Sequence, residues 1–564
     1  MKRVQKKLEA QASVEWWPWI AAVAAGVIAV FVAYDPAMHG PFLLDDTSLP
    51  YRNPGMATAT LMGWLAGMRP VLMLSYWLDF QAHGENTYGY HVMNVALHLF
   101  NGALVFLMAR KILGWAQVAQ AGVNAWAGFA ASLFLLHPLQ TESVAYIASR
   151  SETLSVFFFY AAFVVFLYRK DVAVSLGTSA AVLVLFGAAS MSKEHTVVLP
   201  GLLLLTDYFW NPGFSLSGIR KNVKLYVPIA LGAMVGAAFV WRVLKGAPTA
   251  GFGIKDLTWY QYFFTQCRAI WVYVRFFFLP FGQNIDHDFA TSRTVLDQGA
   301  IFGLIALIAL VAAAWMSRRR YRLASYGVLV FLLLLAPTSS IVPIKDTLVE
   351  RRMYLPFIGL LFVVLELARR MKPSKLAMIA VVLVLGVLTY QRNLLWGDTI
   401  AIWKDSVEKS PRKVRPAFQL AFGYYNDGRC ADAIREFERA AGLATPNYDL
   451  LTDWALAYDC VGRPAEAAAK VNQALGLEQN AHAYALLGMI FGKQGRSAEA
   501  LDALDKAAAV NPGFEMTYVY RGNVYAQQNN WARAAEEYQR ALSFNPNNAA
   551  AQAALGTAQS QLKR

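Results

Sequence analysis

Ala300-Ile301-Phe302-Gly303-Leu304-Ile305-Ala306-Leu307-Ile308-Ala309-Leu310-Val311-Ala312-Ala313-Ala314-Trp315-Met316 runs without a charged side chain, and Arg318-Arg319-Arg320 follows almost at once. A run of this length and apolarity reads as a membrane-spanning helix. The triple arginine places its end on the cytoplasmic side, because Lys and Arg concentrate in inner loops. Similar runs are expected to span at about 17–33, 90–109, 125–136, 172–189, 226–244, 324–341, 355–367 and 376–390, with two more ending before Arg169-Lys170 and before Arg220-Lys221. That makes about eleven spans, amino end inside and carboxyl end outside. The segment 246–298 is the exception. Its apolar part, about 269–281, is short and interrupted by Arg275 and Pro280, so it reads as an incomplete or re-entrant piece rich in interfacial aromatics.

Composition agrees with a polytopic membrane protein: 57% of residues are hydrophobic and only 16% charged, with a mean hydropathy of +0.35. The formal charge of +14 would point to nucleic acid in a soluble chain. Here Lys and Arg sit in short loops and set orientation, so no nucleic-acid partner is expected. Met1 to Lys7 is basic and precedes the first apolar run without a small-residue cleavage site, which reads as an uncleaved anchor. Cys267, Cys430 and Cys460 show no metal-ligand spacing. Their odd number argues against a disulfide framework; Cys430 and Cys460 could pair, but isolated buried thiols are the expectation.

With this topology, several ionisable stretches fall on one face: Asp45-Asp46, His137 to Glu152, Lys193-Glu194-His195, Asp286 to Asp288, and Glu350-Arg351-Arg352. Charges at a membrane surface are costly unless solvated, paired or used. Their collection on one side describes an outward-facing polar cavity. Asp45 and Asp46 are either turn acids, one of them a helix cap, or a general base for an attacking hydroxyl. Arg351, Arg352, Lys345 and Arg69 are candidates to hold a departing phosphate, against a bland role as surface anchors. Glu142, Tyr146 and Arg150 recur at four-residue spacing and would share one helix face, either as an internal ion-pair ladder or as cavity lining with His137 and Glu152. Lys193, Glu194 and His195 line the cavity or neutralise one another, and Glu350 and Tyr354 complete the lining. His91 and His98, at helical spacing within a span, are expected to be hydrogen-bonded bundle residues. These acids and histidines would permit a divalent ion such as Mg or Mn, but they form no tight ligand motif, and no cofactor follows from them.

Beyond about Asn393 the composition turns soluble and a pattern repeats: Ala431-Asp432-Ala433-Ile434, Ala465-Glu466-Ala467-Ala468, Ala498-Glu499-Ala500-Leu501 and Ala532-Arg533-Ala534-Ala535. Steps of about 34 residues, glycines at 423, 488 and 522 read as in register, and Pro512 and Pro546 at repeat ends form a tetratricopeptide signature. Such helix pairs stack into a solenoid with a concave groove. Tyr424, Tyr458, Tyr484 and Tyr518 are core aromatics or groove residues. The expected architecture is therefore all-α, a membrane bundle over 1–392 followed by an extracytoplasmic repeat domain over 393–564. An outward cavity beside a peptide-binding type of repeat suggests group transfer from a lipid-linked donor to a polypeptide.

The chain resembles the transmembrane and tetratricopeptide-repeat-containing O-mannosyltransferases and their bacterial relatives, of the glycosyltransferase C superfold. The likeness is carried by Leu43-Leu44-Asp45-Asp46, Arg69-Pro70, His91-Val92-Met93-Asn94 with His98, and His137-Pro138-Leu139-Gln140-Thr141-Glu142-Ser143-Val144 followed by Ser149-Arg150-Ser151-Glu152. It continues in Lys193-Glu194, Val349-Glu350-Arg351-Arg352-Met353-Tyr354-Leu355-Pro356, and Arg392-Asn393 to Trp396 with Asp398 and Trp403. The resemblance implies a polyprenyl- or dolichyl-phosphate sugar donor, inversion at the sugar carbon, a protein Ser or Thr hydroxyl as acceptor, and a first-loop acid as base. Between the two acids the reading favours Asp46, with Asp45 orienting it or a metal. Partners are then the lipid-linked sugar, an acceptor protein or peptide on the repeats, and membrane lipid. The site and the repeats are expected on the periplasmic face of a bacterial cytoplasmic membrane, or the lumenal face of the endoplasmic reticulum. The rival reading is a non-enzymatic assembly scaffold or lipid-glycan transporter, which would more naturally show paired charges within spans and internal symmetry.

Overall fold

The computed structural model describes residues 17–49, 59–211, 214–246 and 249–563. The basic start at Met1 to Lys7 lies outside them. The chain divides into two compact units, 1–399 and 400–564. Among the described residues both are helical and contain no strand; a lone bridge pairs Ala250 with Ile344.

The first unit contains α1 (Trp17–Met38), α2 (Pro70–His83), α3 (Thr87–Trp115), α4 (Gln120–Leu135), α5 (Arg150–Leu167), α6 (Leu176–Ser190) and α7 (Leu199–Trp210). It continues with α8 (Val223–Gly246), α9 (Trp259–Phe278), α10 (Ala300–Ser317), α11 (Arg322–Leu335), α12 (Phe357–Met371) and α13 (Lys375–Trp396). Each apolar run of the sequence is thus a helix. Among the described residues six helices are long and apolar enough to cross a membrane, those beginning at Trp19, Thr87, Ile147, Val223, Asp297 and Lys375, and shorter apolar helices cover 122–135, 176–190 and 322–335. The protein is therefore read as a membrane protein. Polar outward faces would be impossible in lipid; accordingly Phe302, Ile308, Leu383 and Val387 are exposed while Val105, Phe134, Phe163 and Phe362 form the core.

The segment 246–298 differs from the sequence reading in its continuity alone, and among the described residues its helix is not one of those long and apolar enough to cross a membrane. Instead of a broken apolar piece it contains one uninterrupted helix, α9, started by a capping box in which Thr258 and Gln261 satisfy each other's backbone amides (3.1 and 3.4 Å). Arg275 does not interrupt it, because the guanidinium lies 4.5 Å from the Phe276 ring centroid. The helix stops before Pro280, as expected.

Two glycines bring the ends of α1 and α13 together. A Cβ on Gly40 would stand 2.8 Å from the Trp396 carbonyl oxygen, and one on Gly397 would stand 2.4 Å from that of Pro36. Asn393 donates to the Ala33 carbonyl at 2.8 Å in the same contact. The loop after α1 is thereby fixed against the end of the last membrane helix.

The second unit stacks helix pairs: α14 (Thr399–Lys409) leads into α15 (Val414–Asn426) with α16 (Cys430–Leu443), α17 (Tyr448–Cys460) with α18 (Pro464–Leu477), α19 (Ala481–Lys493) with α20 (Ser497–Val510), and α21 (Glu515–Gln527) with α22 (Trp531–Phe544), closed by α23 (Ala549–Leu562). Ala433, Ala467, Ala500 and Ala534 are fully buried where the paired helices touch. A Cβ on Gly488 would lie 2.5 Å from Leu504 Cγ, and one on Gly522 would lie 2.5 Å from Tyr538 Cε1. Gly423 is not their counterpart: it lies two positions later in its helix, and Ala421 and Ala455 fill the equivalent sites, both buried. Tyr458 and Tyr518 are core residues.

Cys430 and Cys460 are not separate thiols but a disulfide, which ties the start of α16 to the end of α17. Sequence spacing hid this pairing because antiparallel helices bring residues 30 apart into contact. Cys267 is free and buried.

Candidate active site

The two loop acids behave differently. The chain enters a 3₁₀ turn at Leu44–Ser48, with Leu44 at φ 47°, a left-handed conformation that a branched residue adopts only when held. Asp46 holds it. Its Oδ2 accepts the Leu43 amide at 3.0 Å and its Oδ1 the Ala148 amide at 2.6 Å. The residue is buried, and burial pushes its carboxyl up to about 8. Asp45 points out and is exposed, while its backbone amide donates to the Tyr146 hydroxyl at 2.8 Å. Both Asp46 oxygens accept backbone amides, whereas Asp45 is exposed.

Between the usual aspartate value of 3.8 and about 8, folded Asp46 keeps a proton that the unfolded chain has released. Its contribution therefore makes stability fall as pH rises through this window and level off above it. The expected result is a melting temperature that declines from pH 4 to pH 8, with a shallower decline in the Asp46→Asn protein; equal slopes in the two would contradict the assignment.

Tyr146 joins this loop to the segment beginning at Glu350. Its ring stacks on Trp396 with centroids 6.1 Å apart, and the Arg351 guanidinium lies 5.7 Å from the ring centre. Arg351 Nη1 donates to Glu142 Oε1 at 2.6 Å, and the Arg351 amide to Glu142 Oε2 at 3.0 Å. A second group adjoins it: Lys193 Nζ pairs with Glu152 Oε1 and reaches Ser151 Oγ at 3.4 Å, and His195 Nε2 stands 3.5 Å from Glu152 Oε2. Burial pushes the His195 imidazole down to about 4. Arg69 grips Glu194 with two bonds of 2.8 Å, and both Arg69 and Arg351 act electrostatically on Lys193.

The pairs are layered. Glu142 and Glu152 are 3% and 5% exposed, while their partners Arg351 and Lys193 are 26% and 17% exposed and Arg69 is 35% exposed. Glu142 and Glu152 lie beneath and their cations reach the surface, while Glu194, the partner of Arg69, is 28% exposed. A floor of this kind keeps its cations fixed and hydrogen-bonded while their outward side stays available to an anion.

Most of the other expected members have their polar groups engaged within the protein. Arg150 is fully buried, pairs with Asp79 at 2.5 Å, bonds Asn94 Oδ1 and the Tyr90 carbonyl at 2.9 Å each, and lies over the Tyr76 ring. It does not share a helix face with Glu142 and Tyr146, because the chain turns extended at Tyr146 (φ −78°, ψ 117°) between two short helical pieces. Arg352 turns away from Arg351, giving its guanidinium to the carbonyls of Asp346 (2.6 Å) and Thr347 (3.3 Å) and to the Tyr262 hydroxyl (3.1 Å). Glu350 organises a loop, accepting from Gln283 at 2.7 Å, from the Asn284 amide at 2.6 Å and from His287 at 2.8 Å. Tyr354 lies in the core between His98 (2.9 Å) and Asn101 (3.0 Å). His137 is a cap: its Nδ1 accepts the Leu139 amide at 3.1 Å, so Nε2 carries the proton and donates to the Phe277 carbonyl at 2.9 Å. Burial holds it down to about 4. Lys345 is exposed, its backbone amide bonded to the Thr249 carbonyl at 3.0 Å, and among the described contacts its side chain does not join Arg351 or Asp45. His91, bonded to the Gly40 carbonyl at 3.2 Å, and His98 are bundle residues as expected. Among the described residues no three His, Cys, Asp or Glu side chains gather in a metal-holding arrangement. Trp396 and Asp79 are the members to which the sequence reading gave no role; an aspartate inside the apolar run Leu74 to Phe80 was the available signal for the latter.

These features define a helical membrane protein with a tetratricopeptide-repeat unit and one charged, layered site. Family models described as TPR repeat and Tetratricopeptide repeat match 522–563 and 481–514. Over most of the chain the relatives are proteins named protein O-mannosyl-transferase. That of Caenorhabditis elegans (F38B6.6) is 24% identical over 68% of this chain and 54% of its own length. Tmtc3 of Drosophila melanogaster is 24% identical over 82% and 59%, and TMTC3 of Mus musculus 21% over 85% and 57%. The chain thus spans just over half the length of the curated relatives it matches. A crystal structure of YrrB, a TPR protein with an unusual peptide-binding site, aligns with 28% of this chain and 80% of that one, at 21% identity and a TM-score of 0.24.

Proposed function

We propose that the protein is an integral-membrane glycosyltransferase that moves a sugar from a polyprenyl-phosphate carrier to a Ser, Thr or Tyr hydroxyl of an exported protein, with inversion at the sugar carbon. The observation that carries this reading is the exposed Asp45 beside the cationic floor of Arg351 and Lys193 over buried Glu142 and Glu152. In the reaction the acceptor oxygen bonds to the anomeric carbon as the bond from that carbon to the phosphate oxygen breaks. Asp45 takes the hydroxyl proton. The leaving phosphate gains charge against Arg351 and Lys193, with Arg69 at the edge. Arg352 and Lys345 drop out of the phosphate role, and Lys193 enters it. The names of the relatives support sugar transfer to protein. The repeats, of a kind that binds polypeptide segments, support recruitment of the acceptor.

The Cys430–Cys460 disulfide supports an oxidising compartment for the repeats, the periplasm or the lumen of the endoplasmic reticulum. The buried charges Arg150 and Asp79 are closed by each other, which suits a transferase better than a conducting transporter. The test is transfer of labelled sugar from a synthetic polyprenyl-phosphate sugar to acceptor polypeptide by the full chain in liposomes. Label on the polypeptide that depends on the chain is expected; hydrolysis or none would reject the reading.

A further inference from the structure

Two adjoining apolar clefts of about 320 and 400 Å³ open between α4 and α13 and share Phe129 and Met378, and the larger is lined at its other end by His137 and Phe277. The smaller reaches Lys375, and the larger runs across α9 and α12 to Met371 and Pro373. Both arms therefore end at the segment 371–375. Lys372 and Lys375 in that segment are exposed and form no ion pair among the described residues, whereas Arg369 and Arg370 just before them are bound to buried Glu366.

We propose that this forked cleft holds one anionic phospholipid, with an acyl chain in each arm and its phosphate against Lys372 and Lys375. Two apolar arms joined at one basic end match a diacyl lipid; a polyprenyl carrier has a single chain. Position separates the two further. Lys375 begins α13 and Trp396, which stacks on Tyr146, ends it, so the basic rim lies about 33 Å from the polar cluster, at 1.5 Å per residue. A lipid whose phosphate sits at Lys375 cannot present that phosphate to Arg351, so the site is distinct from the one proposed for the sugar donor. Attraction of the two lysines for an anionic headgroup supplies the selectivity, and the apolar arms supply retention that does not depend on charge.

Native mass spectrometry of the full chain, offered dioleoylphosphatidylglycerol and dioleoylphosphatidylcholine at equal concentration, tests this. One phosphatidylglycerol per chain should survive delipidation in preference to phosphatidylcholine. The Lys372→Gln and Lys375→Gln substitutions should each reduce the preference about fivefold, the weight of one basic residue at an anionic surface. Met378→Trp, which fills the junction of the arms, should lower retention of both lipids, with an unchanged melting temperature showing that the protein is folded. Equal retention of the two lipids, a preference unmoved by the lysine substitutions, or stronger retention of a polyprenyl phosphate probe would overturn the proposal.

Discussion

Asp45→Asn is expected to lower sugar transfer about 100- to 10,000-fold, the range that a positioned general base contributes, without loss of folded protein. The carboxylate is exposed and its backbone amide, not its side chain, makes the contact with Tyr146, so an isosteric amide removes the base and disturbs little else. Asp46→Asn should act otherwise. The new NH2 group would face a backbone N–H where an oxygen now accepts it, at a cost of about 1–3 kcal/mol in stability for the unsatisfied donor. Transfer measured per folded molecule should fall less than in Asp45→Asn. If Asp45→Asn keeps full activity and Asp46→Asn alone abolishes it, the two assignments must be exchanged.

Arg150→Ala is expected to be the most destabilising single change in the membrane unit, by about 3–5 kcal/mol, because it strands the Asp79 carboxylate in a buried site. It also empties the space between Tyr76 and Tyr90 and removes the donor to Asn94. Replacing both partners, as Arg150→Met with Asp79→Leu, should restore much of the loss, since an apolar pair of similar volume has no buried charge to leave unmatched. Thermal melting of the full chain in one detergent reads both results. A single variant as stable as the wild type would show that the pair carries no structural weight, and Arg150 would then return to the cavity lining.

Sequence revealed the helices better than the site, for a physical reason. An apolar run between basic clusters has few structures open to it in a membrane, so α1, α3 and α10 were legible from hydropathy alone. The repeats were legible from their period, although Gly423 misled because small residues of two kinds, Gly and Ala, serve the same close contact. Polarity in a sequence shows that a group needs a partner but not where the partner is. Glu350, His137 and Tyr354 read as cavity residues and Arg352 as a phosphate ligand, and each bonds within the protein: to Asn284 and His287, to Phe277, to His98 and Asn101, and to Asp346 and Thr347. Four-residue spacing promised one helix face for Glu142, Tyr146 and Arg150, and the extended backbone at Tyr146 broke it. That break lets Tyr146 receive the Asp45 amide while Arg150 runs into the core. The convergence of the first loop, Glu142, Lys193 and Arg351 followed from topology, since loops on one face of a bundle have few other places to meet.

The most direct test of the central reading compares exported proteins, by peptide mass spectrometry, from cells that contain the chain, cells that lack it, and cells carrying the Asp45→Asn form. The account predicts sugar masses on Ser, Thr or Tyr that appear only with the unaltered chain. The same masses in cells that lack the chain, or undiminished in the Asp45→Asn cells, would contradict it.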